Sequence, residues 1–230
     1  MINACGRING CGTNVVNTVA DTGPVVCHNT NNCWVEGAVI NGGQGIDYAD
    51  NWNAIRIENC TSCVIRNNTA TSFVRDPIAG GTNHNQSIIT MYGSSNSLYE
   101  YNTGSNAGAG IYLKDTGTTQ LQSGNIIRFN RLDSVGEVIA FSVTAEGRNY
   151  IYQNIGTNSS SGLSIVGGGL SNDWIFNNTF HNMSLIGAGV SVSGTGGRFW
   201  NNICSNCDTT VYSQGGVMPS ENVIDFEHNV

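Results

Sequence analysis

Charge is scarce in this chain: Asp, Glu, Lys and Arg make up 11% of its 230 residues, against about 25% in an ordinary soluble domain. Nine side chains are basic, and one of them is a lysine, Lys114. The net charge of −7 leaves no basic face for phosphate backbones, so nucleic acid is not an expected partner. Proline occurs three times, and the strong helix formers of bundles and coiled coils are few, which excludes both classes. No run approaches the ~18 apolar residues of a membrane-spanning helix. The opening stretch MINACGRING has no charged region followed by an apolar one, so no signal peptide is expected. Gly, at 30 residues, lacks the three-residue period of collagen. Apolar residues, by contrast, are ample at 39%, too many for a disordered chain with so little charge. What is abundant is Asn and Gly, the residues of turns. The composition therefore leaves a globular or solenoid chain with very many turns.

The turns recur. An apolar dipeptide followed by Asn runs through Val64-Ile65-Arg66-Asn67-Asn68, Leu98-Tyr99-Glu100-Tyr101-Asn102, Ile126-Ile127-Arg128-Phe129-Asn130, Tyr150-Ile151-Tyr152-Gln153-Asn154, Trp174-Ile175-Phe176-Asn177-Asn178 and Arg198-Phe199-Trp200-Asn201-Asn202. The final Asn residues are spaced 34, 28, 24, 24 and 24 apart, and a weaker copy, Val223 to Asn229, follows. Upstream lies an alternating element: Ile55-Arg56-Ile57, Ile89-Thr90-Met91, Ile111-Tyr112-Leu113, Phe141-Ser142-Val143 and Leu163-Ser164-Ile165. Val25 to Cys33 aligns without gaps on Ile55 to Cys63. Each unit holds two or three short strands of period two, and no window carries a 3.6-residue apolar period. A propeller blade needs about 40 to 50 residues, whereas about 24 suits one coil of a parallel β-helix whose coils stack ~4.8 Å apart. The repeated Asn marks a corner where a non-Gly residue adopts positive φ, and stacked Asn side chains can bond along the axis as a ladder.

The pattern I-x-I…N…V-I-x-N-N resembles the right-handed parallel β-helix of the pectin-lyase-like superfamily over nearly the whole chain. The resemblance implies an all-β, single-stranded solenoid of about seven to eight coils. Residues 1–230 form one domain, in which 1–24 serve as an N-terminal cap or an irregular first coil. It also implies that carbohydrate lies along the outer face of strand one. Activity varies across such β-helices, which include lyases, hydrolases, epimerases and phage tailspikes, so fold alone does not choose among them.

Alternation names the outward residues of strand one. With Ile55 and Ile57 facing in, stacked coils present the row Val26, Arg56, Thr90, Tyr112 and beside it His28, Glu58, Tyr92, Lys114. Later coils continue these rows with Ser142, Thr144, Ser164, Val166, Ser191 and Ser193, which are chemically mute. Two long connections flank the charged coils; they carry Asp47, Tyr48, Asp50 and Trp52, and Arg75, Asp76 and His84. Aromatic rings beside polar groups suit a sugar, which has both an apolar face and hydroxyls. β-Elimination from a uronic acid needs a base and a cation facing the carboxylate; Lys114, Tyr92, Arg56 and His28 are the candidates for these roles, with Asp47 and Asp50 as calcium ligands. Hydrolysis would need two carboxylates, such as Glu58 with Asp76 or Asp115. Tyr112, Thr90, Trp52, Tyr48, Arg75, Asp76 and His84 are candidate sugar contacts. The adjacent aspartates with downstream GHG and RIK of polygalacturonases are missing, and so is the DPH of alginate epimerases, since Ile78 follows Asp76-Pro77. The alternative is a non-catalytic glycan-binding or structural β-helix, monomeric or trimeric. A trimer calls for an apolar outward stripe, and the repeat does not reveal one.

The eight cysteines fall in pairs, two of them C-x-x-C: Cys60/Cys63 and Cys204/Cys207. About five coil rises separate these two, roughly 24 Å at ~4.8 Å each, too far for one zinc. Stacking Cys33 on Cys63 puts them one rise apart, compatible with a disulfide. Disulfides would place the protein outside the cell or on a virion.

Overall fold

The computed structural model describes residues 7–9, 15–16, 25–42, 52–73, 85–114, 122–142, 147–165, 173–191, 197–214 and 224–227. Every regular element among them is a β-strand. All pairing is parallel, and the strands stack into a β-solenoid with two walls. One wall is a narrow sheet of nine strands: Arg7–Asn9, Trp34–Glu36, Val64–Arg66, Leu98–Glu100, Ile126–Arg128, Tyr150–Tyr152, Trp174–Phe176, Gly197–Trp200 and Ile224–Glu227. Its nine rungs exceed the expected seven to eight coils slightly, because Arg7–Asn9 already pairs with Trp34–Glu36 inside the segment expected to be a cap or irregular coil. No helix among the described residues is long and apolar enough to cross a membrane.

The other wall is an eleven-stranded broad sheet with two lanes. Five long strands, Thr103–Lys114, Arg131–Ser142, Ile155–Ile165, Thr179–Ser191 and Ile203–Gln214, span both lanes. In earlier coils the lanes are separate strands. Thr69–Phe73 pairs with the first half of Thr103–Lys114, and Ser87–Ser95 with its second half. Accordingly the long connection of the early coils, 74–84, falls between the lanes, whereas 115–121 and 166–172 fall after the second lane.

Alternation sets the core. The central residue of each narrow strand, Val35, Ile65, Tyr99, Ile127, Ile151, Ile175 and Phe199, is buried, as are Ile55, Ile57, Ile89, Met91, Ile111, Leu113, Ile139, Phe141 and Leu163 from the second lane. These residues join one continuous apolar cluster along the axis. Burying such side chains stabilises by roughly 1.5–3 kcal/mol each.

Two buried polar columns flank the narrow sheet. In one, Asn68, Asn102, Asn130, Asn154, Asn178 and Asn202 pass amide hydrogen bonds up the axis, each Nδ2 donating to the next Oδ1 at 2.9–3.0 Å. The other runs through Ser97, Asn125 and Asn149 to Asp173. The positive φ sits not on the laddered Asn but on the residue before it: Asn67, Tyr101, Phe129, Gln153, Asn177 and Asn201 lie at φ 52–55. The two jobs assigned to one repeated Asn are therefore divided between neighbours, and rings serve at the corner as well as amides.

The described cysteines bond within coils: Cys27–Cys33, Cys60–Cys63 and Cys204–Cys207. Cys33 does stack on Cys63, since Trp34 pairs with Val64, but a corner residue at positive φ, Asn32 or Ser62, turns the chain tightly. The flanking cysteines of that same corner come within 6.3 Å between Cα atoms, which the bond then closes.

Close stacking also explains Gly110. A Cβ there would stand 2.5 Å from the carbonyl oxygen of Val138 on the next coil and 2.5 Å from Leu132 Cδ1. Gly110→Ala is expected to cost about 1–3 kcal/mol, because the obstacle is backbone that cannot rotate away. A urea melt shifted by less than the cost of an ordinary surface change would contradict this packing.

Candidate functional site

The two outward rows exist, in the expected register. Val26 pairs with Arg56 and His28 with Glu58; Arg56 pairs with Thr90 and Glu58 with Tyr92; Thr90 pairs with Tyr112 and Tyr92 with Lys114. Their continuation differs. Ala140 follows Tyr112, and Ser142 follows Lys114, so the alternating element is Ile139-Ala140-Phe141 rather than Phe141-Ser142-Val143. Ser164 follows Ala140 in the first row, whereas Ser191 belongs to the second, beside Gln214. Thr144, Val166 and Ser193 lie outside the described residues. A two-residue slip leaves every side chain on the same face, which is why period two could not reveal it.

These rows lie outside the core, but they are unevenly exposed. Thr90 is 0%, and Tyr92 and Tyr112 are each 2% exposed; Tyr112 forms a small apolar cluster with Ala109 and Ala140. Arg56, Glu58 and Lys114 are half-buried and His28 is exposed. Tyr92 sits between two cations. The Arg56 guanidinium stands 4.4 Å from its ring centroid and Lys114 Nζ 5.4 Å, while Lys114 is also 5.8 Å from Tyr112. Cation–ring contacts of this kind strengthen as water is excluded. Lys114 Nζ donates to Asn85 Oδ1 at 2.7 Å. Below it, Asn53 Nδ2 donates to the Asn85 carbonyl at 2.6 Å and to Ser87 Oγ at 3.1 Å, and Ser87 shares a hydrogen bond with Thr90.

Glu58 Oε2 accepts from Arg56 Nε at 3.2 Å and pairs with its terminal nitrogen at 3.1 Å. It also meets His28 Nδ1 at 3.2 Å. Asn29 Nδ2 donates to His28 Nε2 at 2.8 Å, so Nδ1 carries the ring proton toward Glu58. Burial pushes the Tyr92 phenol up to about 12, with Arg56 opposing the shift, and burial likewise raises Tyr112. Tyr92 is therefore a proton donor across the neutral range rather than a ready base, which leaves Lys114 as the base candidate in this cluster.

Trp52 is 2% exposed in the core, its ring 5.8 Å from Phe73, so its faces are turned to protein. Asp47, Tyr48, Asp50, Arg75, Asp76, His84 and Asp115 lie outside the described residues, as does His228; His181 is exposed on the broad sheet. Among the described residues no three His, Cys, Asp or Glu side chains gather as a metal site.

The narrow sheet shows what the sequence had not revealed. Its outer face opens on a charge ladder, Glu36–Arg66 at 3.3 Å, Arg66–Glu100 at 3.5 Å and Arg128–Glu100 at 2.8 Å. Arg128 then donates to the Tyr152 hydroxyl at 2.9 Å, and from Tyr152 through Phe176 to Trp200 the row is aromatic. Tyr152 stacks on Phe176 at 4.8 Å and Phe176 on Trp200 at 4.5 Å. In the adjacent row Arg148 and Arg198 stand 4.5 and 5.4 Å from the Trp174 ring. An outward stripe of rings is thus present in the later coils; the signal was the first and third positions of the anchor triplets. The ring faces are taken up by one another and by arginine, so the stack holds coils together. Phe176→Ala is expected to destabilise by about 1–3 kcal/mol from two ring pairs at ~0.5–1.5 kcal/mol each. Phe176→Leu, which keeps apolar volume, should recover only part of it; equal thermal unfolding of Phe176→Ala and the parent would dismiss the stack.

No protein-family model matches this chain, and no curated protein matches it with significant similarity.

Proposed function

We propose that this chain is a carbohydrate-active right-handed β-helix of the pectin-lyase-like kind, acting on an acidic extracellular polysaccharide at the Arg56–Tyr92–Lys114 cluster. The observation that carries the reading is Tyr92 held between a guanidinium and an ammonium from the two neighbouring coils. The Arg56 guanidinium beside buried phenols suits a uronate, whose carboxylate it would neutralise, and Lys114 on the other side of Tyr92 serves as the base once it has given up its own proton. In the step proposed, uncharged Lys114 takes the C5 proton and those electrons form the C4–C5 double bond. The C4–O bond breaks, the departing oxygen takes a proton from Tyr92, and the proton now on Lys114 passes through water to the Tyr92 phenolate, which restores both groups. The intracoil cystines support an oxidising, extracellular setting.

The test is a screen of pectate, alginate and glycosaminoglycans for the ultraviolet absorbance of an unsaturated uronate. Absence of such a product from all of them would sink the lyase reading. The second reading, glycan binding without turnover, is favoured by the burial of Tyr92 and Tyr112 and by Glu58 being engaged by both Arg56 and His28. Retention on an acidic glycan without cleavage would select it.

A further inference from the structure

A trough of ≈ 800 Å³ runs along the axis where the long strands of the broad sheet bend between their lanes. It shares the strand Thr103–Lys114 with the charged cluster but is lined by other residues and runs on along the later coils. One edge is a column of residues at positive φ, Asn106, Ser134, Asn158, Asn182 and Asn206, at φ 50–61, all exposed. Five coils make it about 19 Å long at ~4.8 Å per rise. Asn206 Nδ2 donates to Asn182 Oδ1 at 2.6 Å and Asn182 Nδ2 to Asn158 Oδ1 at 2.8 Å. The column ends on Asp133, which accepts from Asn158 Nδ2 at 2.8 Å, Thr157 Oγ1 at 2.6 Å and Ser134 Oγ at 2.9 Å. An amide has two N–H groups and two lone pairs on oxygen. Asn158 and Asn182 each use one of each along the column, so both turn a spare donor and a spare acceptor to solvent. Ser160 and Ser184 line the trough as well.

We propose that this trough is a second binding site, for a linear neutral polysaccharide lying parallel to the solenoid axis with about one sugar per coil. The volume falls within the range of real ligand sites, roughly 300–1,000 Å³. No lysine or arginine lines it, while Asp208 does, so uronates, sulfated glycans and nucleic acid lack the cation they require. An extended peptide advances about 3.3 Å per residue and falls out of step with the amides within two coils. A pyranose chain advances by close to one coil rise per unit, and its hydroxyls both donate and accept, matching what each amide has left. This site is independent of the elimination chemistry proposed above.

The test is calorimetric titration with six-sugar linear gluco-, manno- and xylo-oligosaccharides, and with a hexauronate. The variants are Asn158→Gly/Asn182→Gly, which keeps positive φ while removing two amides, and Ser184→Trp, which fills the trough from an exposed position. At least one neutral oligosaccharide should bind. The double glycine variant should bind it at least about tenfold more weakly, two hydrogen bonds at ~1 kcal/mol each giving that order, and Ser184→Trp should abolish binding while thermal unfolding stays near the parent's. Lys114→Ala should leave it unchanged. Failure of every neutral oligosaccharide to bind overturns the proposal, as does binding that Ser184→Trp leaves intact. Binding that Lys114→Ala removes would assign it to the charged cluster instead.

Discussion

Asn154→Ala should leave the protein largely unfolded. Asn154 Nδ2 donates to Asn178 Oδ1 at 3.0 Å, to the Ile127 carbonyl at 3.0 Å and to the Tyr152 carbonyl at 3.2 Å. Its Oδ1 accepts from Asn130 Nδ2 at 2.9 Å and from the Asn130 backbone N–H at 3.1 Å. The Asn130, Asn154 and Asn178 side chains are fully buried. Each buried polar group left without a partner costs about 1–3 kcal/mol. Three or four such groups amount to roughly 3–12 kcal/mol, against about 5–15 kcal/mol for a whole domain. A solenoid rung touches only its neighbours, so a broken rung also uncouples the coils on either side. Removing the amide at Asn182 on the exposed column with Asn182→Gly, which keeps the positive φ, should cost less than about 1 kcal/mol, because water replaces the lost partners. Urea unfolding of the two variants makes the comparison; a loss below 1 kcal/mol for Asn154→Ala would refute the buried column as a structural necessity.

On the proposed function, Lys114→Ala should lower the rate of uronate elimination by about 10²–10⁴-fold, the range a positioned base supplies. Substrate affinity should fall far less, since Arg56 remains on the other side of Tyr92. Lys114→Arg separates the two roles of the residue: it keeps the cation beside Tyr92 and Tyr112 but cannot lose its proton, so it should bind substrate and remain as slow as the alanine variant. Elimination by Lys114→Arg at the parent rate would remove Lys114 from the chemistry.

Much of the solenoid was legible because stacking writes itself into the chain. A side chain that must lie on its counterpart one coil away recurs at the coil length, so the spacing of Asn68 through Asn202 by itself marks the column. The pairing of Arg56, Thr90 and Tyr112 followed from the same spacing. The register failed at one element, where Ile139-Ala140-Phe141 and Phe141-Ser142-Val143 satisfy the same alternation and only hydrogen bonding to Ile111 and Leu113 chooses between them. The cysteines failed for a related reason: alignment shows which residues stack, whereas a disulfide joins residues that a corner brings together within a coil.

The scarcity of charge and the recurring Asn, taken by themselves, determined that this protein is an all-β parallel solenoid, which residues face inward, and which outward residues share a row. Those are consequences of period, and period is a property of the chain. The tertiary structure alone decided that Tyr92 and Tyr112 are buried while Asn158 and Asn182 stand open, that Glu58 is shared by Arg56 and His28, and that the long strands bend into a trough. Exposure and pairing depend on what the rest of the molecule brings to a face, which the repeat does not encode.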